Sequence, residues 1–563
     1  MATTRYEDRI LSSLGQGTPA TVRFEDSQAL CGAGVLFMLP SLLLQGLLKT
    51  KEVYRIPDNH YYGIESVVLT LAFMALSRIK NPEQLKQCRP GEIGRIIGLD
   101  RIPEVKCLRE KIKLLTGQQQ ATRLNNLLVD HWYKEQDAAA EFLYIDGHVR
   151  IYYGYKANLP VKYVSRQKLC MSATTEYWVN DAQGLPVMVV MGELTEKLQT
   201  VIEQQIIPQL QQTKLLDENP DEDVQPQCTF IFDREAYEPA FFQRLWKEHR
   251  IAVITYRKNV KDVWNDECFK TKSVTVLQQT VNMQICERNT ELGGFRFREI
   301  RRMSESGHQT SIISTHPTLE TAVVAGRMFG RWCQENFFRY LIQDYDFDKM
   351  VNFGTEAIDM EKEVVNPEYR KRTHQLKKLR EKIQRVEAKF YPLVQQAMDE
   401  PIEAIPVITN KQMEYKITID RYRACEKEII AQRTLLQPKI KLCQMPQQKR
   451  YNKLKTESKM LMNVIKMICY RAESAVANWS IPFLSKADDE KRMLVKQIIC
   501  ANADLTPDYE NNTLTISLHS LSAPRFNIAA FELSKLLNET ETVFPGTNLR
   551  LIYKITAFPN CER

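Results

Sequence analysis

Apolar positions recur along this chain in two different rhythms, and the changes of rhythm mark its organisation. Over residues 1–140 the spacing is that of helices. Residues 35–48 are rich in leucine, and Pro40 predicts a break or kink within them. Residues 64–79 form a second apolar stretch, which carries Glu65 and falls short of a robust membrane span, so a buried helix is expected. A short helix is expected to start at Pro82. Residues 90–115 then read as helix (92–97), turn at Gly98 and helix (105–115).

From residue 141 to about 345 the rhythm becomes that of strands punctuated by helices. Residues 142–145 form an apolar run ending at Asp146, and 149–153 are β-rich. Residues 174–180 and 185–191 are strand candidates around a turn from Asp181 to Gly184. A helix is expected over 194–210, a buried strand over 228–232 ending at Asp233, a helix over 239–248 and a strand over 251–256. Residues 258–305 alternate and are expected to form a β-rich insertion; 309–314 is a further strand and 318–343 one long helix. Such an order predicts an α/β fold, a mixed sheet with helices on its faces.

Residues 366–395 and 411–475 are long, charged and helical, joined by a connector at 401–410. The first is strongly basic and sets Leu376, Leu379, Ile383 and Val386 at seam spacing. It fits a coiled-coil hairpin, a rod along a phosphate backbone, or a packed helix with one wet face. Alternation returns at 514–518 and 549–555 around a helix at 528–537, a small α+β region. The expected divisions are therefore 1–140, 141–257, 258–305, 306–350, 366–475 and 476–563.

Composition narrows the classes. Of 563 residues, 44% are hydrophobic and 26% charged, which excludes a wholly disordered chain. A net charge of +8 permits a nucleic-acid partner. Thirteen cysteines without a CxxC pair, and only 8 histidines, argue against a structural zinc site. An odd thiol count behind an N-terminus that lacks a signal pattern predicts a reducing, cytoplasmic setting. The helix over 105–115 carries Lys106, Arg109, Lys111 and Lys113, which suits the recognition helix of a helix-turn-helix. An ordinary helical hairpin with a solvated face has the same pattern.

Two carboxylates, Asp146 and Asp233, end apolar strand candidates, and Glu335 lies in the helix after them. Arg331 and Arg339 stand four residues to either side of Glu335, on its face of the helix. Three such carboxylates suit two divalent cations about 4 Å apart, the arrangement used in phosphoryl transfer. Oxygen ligands select Mg²⁺ or Mn²⁺. Taken singly, an aspartate after a strand is more often a turn residue, and a helical glutamate a surface residue.

The surrounding sequence resembles a DDE transposase of the bacterial insertion-sequence type. Residues 144–149 (YIDGHV) resemble its first-aspartate strand, residues 230–237 (FIFDREAY) its second-aspartate motif, and residues 331–340 (RWCQENFFRY) its glutamate helix. Residues 307–315 resemble the strand leading into that helix. The resemblance covers residues 140–345. One subgroup carries a Tyr-x2-Arg-x3-Glu-x6-Lys signature; here Arg331 and Glu335 match it, Met328 and Ile342 replace its Tyr and Lys, and Lys349 follows later.

The resemblance implies a ribonuclease-H-like core with the insertion between the second Asp and the Glu. It implies that Asp146, Asp233 and Glu335 hold two Mg²⁺ or Mn²⁺ ions. Water would cut a transposon end, and the released 3′-hydroxyl would attack target DNA. The expected partner is double-stranded DNA, as inverted-repeat ends and as target, bound by a dimer in the nucleoid. Arg331 and Arg339 would contact phosphate or neutralise carboxylates. Trp332 would stack on an unpaired base or, more plainly, pack in the core. His148 would help shape the site or make a structural hydrogen bond. Lys106, Arg109 and Lys113 would face DNA if the first hairpin binds it. The competing readings are an inactive, domesticated transposase that only binds DNA and a coiled-coil scaffold.

Overall fold

The computed structural model describes residues 5–135, 141–154, 157–164, 167–192, 196–220, 225–276, 279–347, 354–399, 405–447 and 450–556. The chain divides into two units. One comprises Met1–Tyr153, Val161–Phe353 and Lys455–Arg563; the other comprises Gly154–Pro160 and Gly354–Leu454.

The first strand of the larger unit, β1 (Ser27–Leu30), is followed after a run of helices by ten strands: β2 (Phe142–Ile151), β3 (Val161–Val164), β4 (Leu169–Asn180), β5 (Pro186–Gly192), β6 (Cys228–Phe232), β7 (Ile251–Tyr256), β8 (Lys270–Val276), β9 (Gln279–Leu292), β10 (Phe295–Met303) and β11 (Gln309–Ser314). These ten form one sheet in the order β3-β4-β2-β6-β7-β11-β10-β9-β8, with β5 paired to β4. β2, β6 and β7 run parallel, and β4 and β11 flank them antiparallel. The parallel strands are buried on both faces, which is why their sequences are continuous apolar runs rather than alternating ones.

Several expectations are corrected here. β2 continues through Asp146 to Ile151, because Gly147–Ile151 pairs with Ala173–Tyr177 of β4; Asp146 therefore lies within a strand. Residues 258–305 are β-rich as expected, carrying β8, β9 and β10 between β7 and β11, and they are joined to the core by its own sheet, which they extend through β11. The long helix expected over 318–343 is two helices, Thr321–Phe329 and Trp332–Tyr345, parted at Gly330 and Arg331. The helix Leu198–Gln212 passes through a π-turn at Ile202–Ile206, just before Pro208, whose missing N–H a looser turn accommodates.

The helix Glu457–Trp479 is buried almost throughout its length, polar residues included. It packs against Leu39–Leu44, Ile64–Leu76, Ala121–Asp130 and β5. The charged stretch 411–475 is thus two separate helices in different units. The terminal α+β region is present, with strands Ala503–Asp508, Thr513–Leu518 and Arg550–Ile555 and the helix Pro524–Glu539. β1 pairs with the first of these strands, so the beginning and end of the described chain share one sheet.

The first hairpin is formed by Pro90–Ile96 and Val105–Thr116. Its turn uses Gly98 at φ +68°, where a Cβ would meet Val22 Cγ1 at 2.6 Å, so both conformation and packing call for glycine. Lys106, Arg109 and Lys113 are exposed, whereas Lys111 is buried and leaves the expected basic face. Arg109 pairs with Glu83 at 2.5 Å.

In the smaller unit, Pro367–Asp399 and Ile405–Thr434 form an antiparallel helical hairpin, tied by Arg380–Glu426 at 2.7 Å and Arg423–Glu387 at 2.8 Å. Leu376 and Ile383 are buried, and Leu379 and Val386 half-buried, as the seam spacing predicts. Among the described residues, no single helix is long and apolar enough to cross a membrane.

Candidate active site

The parallel register of the central strands brings two of the three carboxylates together. Ile145 of β2 is paired with Phe232 of β6, so the next residues, Asp146 and Asp233, fall side by side. Each is braced by a neighbouring backbone N–H. Gly147 N donates to Asp146 Oδ1 at 2.9 Å, and Arg234 N donates to Asp233 Oδ1 at 2.7 Å.

Glu335 reaches them through an arginine. Arg331, at the start of the helix Trp332–Tyr345, places Nη1 3.5 Å from Asp146 Oδ2 and donates from Nη2 to Glu335 Oε1 at 2.9 Å. One guanidinium therefore spans the strand and helix carboxylates. Burial pushes the Asp146 carboxyl up to about 6; Arg331 opposes the shift, and the charges of Glu235 and Asp233 add to it. Burial also raises the Tyr256 hydroxyl, and Asp233 and Glu335 both contribute to that shift.

Glu235 is a fourth carboxylate at this place. A Cβ on Gly147 would lie 3.4 Å from its Oε2. Burial raises its pKa, Asp233 adds to the rise, and Lys162 and Lys258 oppose it. It stands two residues after Asp233, and no sequence pattern distinguishes it from a surface glutamate. Burial lowers the pKa of Lys162, whose Nζ donates to Thr175 Oγ1 at 2.5 Å.

The glutamate helix is fixed from both ends. Beside Glu335, Gln334 is fully buried, and its amide donates to Tyr144 O (3.1 Å), Trp178 O (3.2 Å) and Asn180 Oδ1 (3.0 Å). This pins the helix to β2 and β4. Further along, Tyr340 and Tyr345 donate to the Glu473 carboxylate, Tyr345 at 2.6 Å. Two lysines of Glu457–Trp479 cap the far end: Lys466 Nζ donates to Tyr345 O and Lys459 Nζ to Phe347 O, each at 2.7 Å. Cations there complement the helix dipole and satisfy orphan carbonyls. Burial pushes the Lys466 ammonium down to about 8. Gln334, Glu473 and these lysines carry no local motif; only the packed fold reveals them.

The remaining expected site residues divide clearly. His148, only 6% exposed, stacks on Phe338 of the glutamate helix at 5.3 Å; it does not face solvent as a DNA contact would. Trp332 is 64% exposed, which corrects the plainer expectation that it packs in the core. Arg339 is exposed and makes no ion pair with Glu335 among the described residues. Lys349 lies outside the described residues.

Among the described residues, no group of three or more His, Cys, Asp or Glu side chains stands ready to hold a metal ion. Arg331 supplies the positive charge between Asp146 and Glu335 instead. The donor set still fits a hard divalent cation: all the donors are carboxylate oxygens, and Asp146 is pushed towards its neutral form by burial and by its acidic neighbours.

A family model, Transposase_29, described as "Transposase protein", matches residues 1–557. The chain belongs to this transposase family. No curated protein and no solved structure matches it. In this transposase Asp146 lies within β2 and Asp233 directly follows β6, and the helix that carries Glu335 is held to β2 and β4 by buried polar bonds.

Proposed function

We propose that this transposase cuts the ends of a mobile DNA element and joins them to target DNA at Asp146, Asp233 and Glu335. The observation that carries the reading is the pairing of Ile145 with Phe232, which sets Asp146 beside Asp233, together with the Arg331 bridge to Glu335. The strand order β5-β4-β2-β6-β7, parallel across β2, β6 and β7 and antiparallel at β4, supports a ribonuclease-H-like core. The three carboxylates would hold Mg²⁺ or Mn²⁺, whose chemistry is to activate an attacking oxygen and to stabilise the leaving one.

The chain's own residues supply position and charge. Hydrolysis of a phosphodiester at an element end leaves a 3′-hydroxyl, and attack of that hydroxyl on target DNA exchanges one ester for another without external energy. Arg331 moves from the carboxylates to a phosphate oxygen when DNA and cations enter, so the site keeps a compensated charge in both states. Exposed Trp332, the next residue, offers a flat face for an unpaired base at the cut end. Arg339, one exposed face further along, meets the backbone. Lys106, Arg109 and Lys113 present a second basic face for the duplex. Joining two ends calls for a dimer on DNA.

The test is nicking of the DNA that flanks the gene, with Mn²⁺, by the purified chain and by its Glu335→Gln variant. Loss of nicking with DNA binding retained is the expected result. Equal cutting by both proteins removes Glu335 from the site, and DNA binding without nicking by either protein favours an inactive, DNA-binding transposase.

A further inference from the structure

The helix Pro367–Asp399 carries a charge pattern that its packing does not use. Lys371, Lys378, Lys382, Arg385 and Lys389 follow one another at steps of seven, four, three and four residues. At 3.6 residues per turn, these steps place all five within an arc of about 60°, along about 27 Å of helix. All five are exposed. None of the acidic residues Glu368, Glu381 and Glu387 falls in that arc, and Glu387 is already paired with Arg423.

The hairpin's internal bonds leave this stripe alone. The seam of Leu376, Leu379, Ile383 and Val386 points to another side of the helix, and the cation that crosses to the second helix is Arg380, which holds Glu426 at 2.7 Å. Among the described residues, none of the five stripe cations has an ion pair. Lys378, Lys382, Arg385 and Lys389 instead stand at like-charge spacings of three and four residues, which weaken a helix. A row of this length, sign and straightness matches a linear polyanion. Duplex DNA presents one charge per about 1.7 Å, or about 16 charges over about 27 Å.

We propose that this stripe is a docking surface for the backbone of duplex DNA, separate from the carboxylate site. The proposal rests on the reading of the chain as a DNA-acting transposase and adds a place where DNA is gripped without regard to sequence. Each cation that meets a phosphate contributes about −0.9 to the slope of log K against log[salt].

The experiment measures binding of the full chain to a 30-base-pair random duplex, by fluorescence anisotropy, in chelator and over a salt series. One variant changes Lys371, Lys378, Lys382, Arg385 and Lys389 to Gln. A control of equal net charge changes Arg370, Lys377, Lys411, Lys416 and Lys427 to Gln. Gln keeps helix propensity close to that of Lys, and circular dichroism checks the fold. The expected result is a slope flatter by about 4 in the stripe variant only. An unchanged slope, an equal change in both variants, or tighter binding of the unsubstituted chain to an RNA duplex of the same length overturns the proposal. The measurement needs neither metal nor cleavage. A failure of the carboxylate site therefore leaves it readable, whereas a chain that binds no duplex at all refutes the DNA-acting reading itself.

Discussion

Replacing Glu473 by Gln tests how the glutamate helix is held. Glu473 has no exposed side-chain surface. Its carboxylate accepts from Arg78 Nη2 at 2.9 and 3.1 Å, from Tyr345 at 2.6 Å and from Tyr340, with Arg492 Nη1 at 3.8 Å. Removing one member of a buried ion pair costs about 3–5 kcal/mol, because the partner stays behind uncompensated. Arg78 and Arg492 keep 19% and 25% of their side chains exposed, and Arg78 retains Asp344 at 3.6 Å, so the low end, about 3 kcal/mol, is expected. The pH dependence gives a second handle. Burial would raise the Glu473 carboxyl, but the two arginines and two tyrosine hydroxyls outweigh it and hold the pKa below the usual carboxylate range. Its contribution is thus fully present above the unfolded value of about 4.3 and is lost as pH falls through the lower folded value. Urea unfolding of the two proteins should differ by about 3 kcal/mol at pH 7, with the gap closing below about pH 4. Amide exchange should quicken over residues 332–345, where both tyrosines sit. A difference under about 1 kcal/mol at pH 7, or a gap that widens in acid, refutes the reasoning.

Gln334→Leu should cost about 2–4 kcal/mol in urea unfolding, since it strands acceptors on Tyr144, Trp178 and Asn180, and should lower nicking more than DNA binding. Asp146→Asn should stabilise the metal-free protein in neutral solution. Its folded pKa of about 6 lies above the ordinary aspartate value of about 3.9, so ionisation costs stability, a cost that builds up between about pH 4 and pH 6. With 26% of that side chain exposed, the gain at pH 7.5 should be about 1–2 kcal/mol by thermal unfolding in chelator, vanishing near pH 4.

The sequence made the strands legible because buried parallel strands are continuous apolar runs with a polar residue at the end, as in residues 228–233. The same signal misplaced the end of β2, since Gly147 reads as a turn but is required by the close approach of Tyr177, 2.9 Å from where its Cβ would be. The break at Gly330 was hidden by helical spacing on either side of it. The buried polar helix Glu457–Trp479 read as a wet one because Lys459, Lys466, Arg471 and Glu473 announce their charge and not their partners. Those partners lie more than 100 residues away for Lys459, Lys466 and Glu473, and no local pattern encodes such a distance. Asp146, Asp233 and Glu335 were visible as a family pattern; the arginine between two of them was visible only as a helical neighbour.

The central claim is that these carboxylates hold cations during cutting, and Asp233→Cys tests it most directly. A thiolate is a poor ligand for Mg²⁺ and a better one for softer ions such as Mn²⁺. The account predicts that this variant binds the flanking DNA, fails to nick it with Mg²⁺ and regains nicking with Mn²⁺. Nicking with Mg²⁺ at the rate of the unsubstituted chain would contradict it.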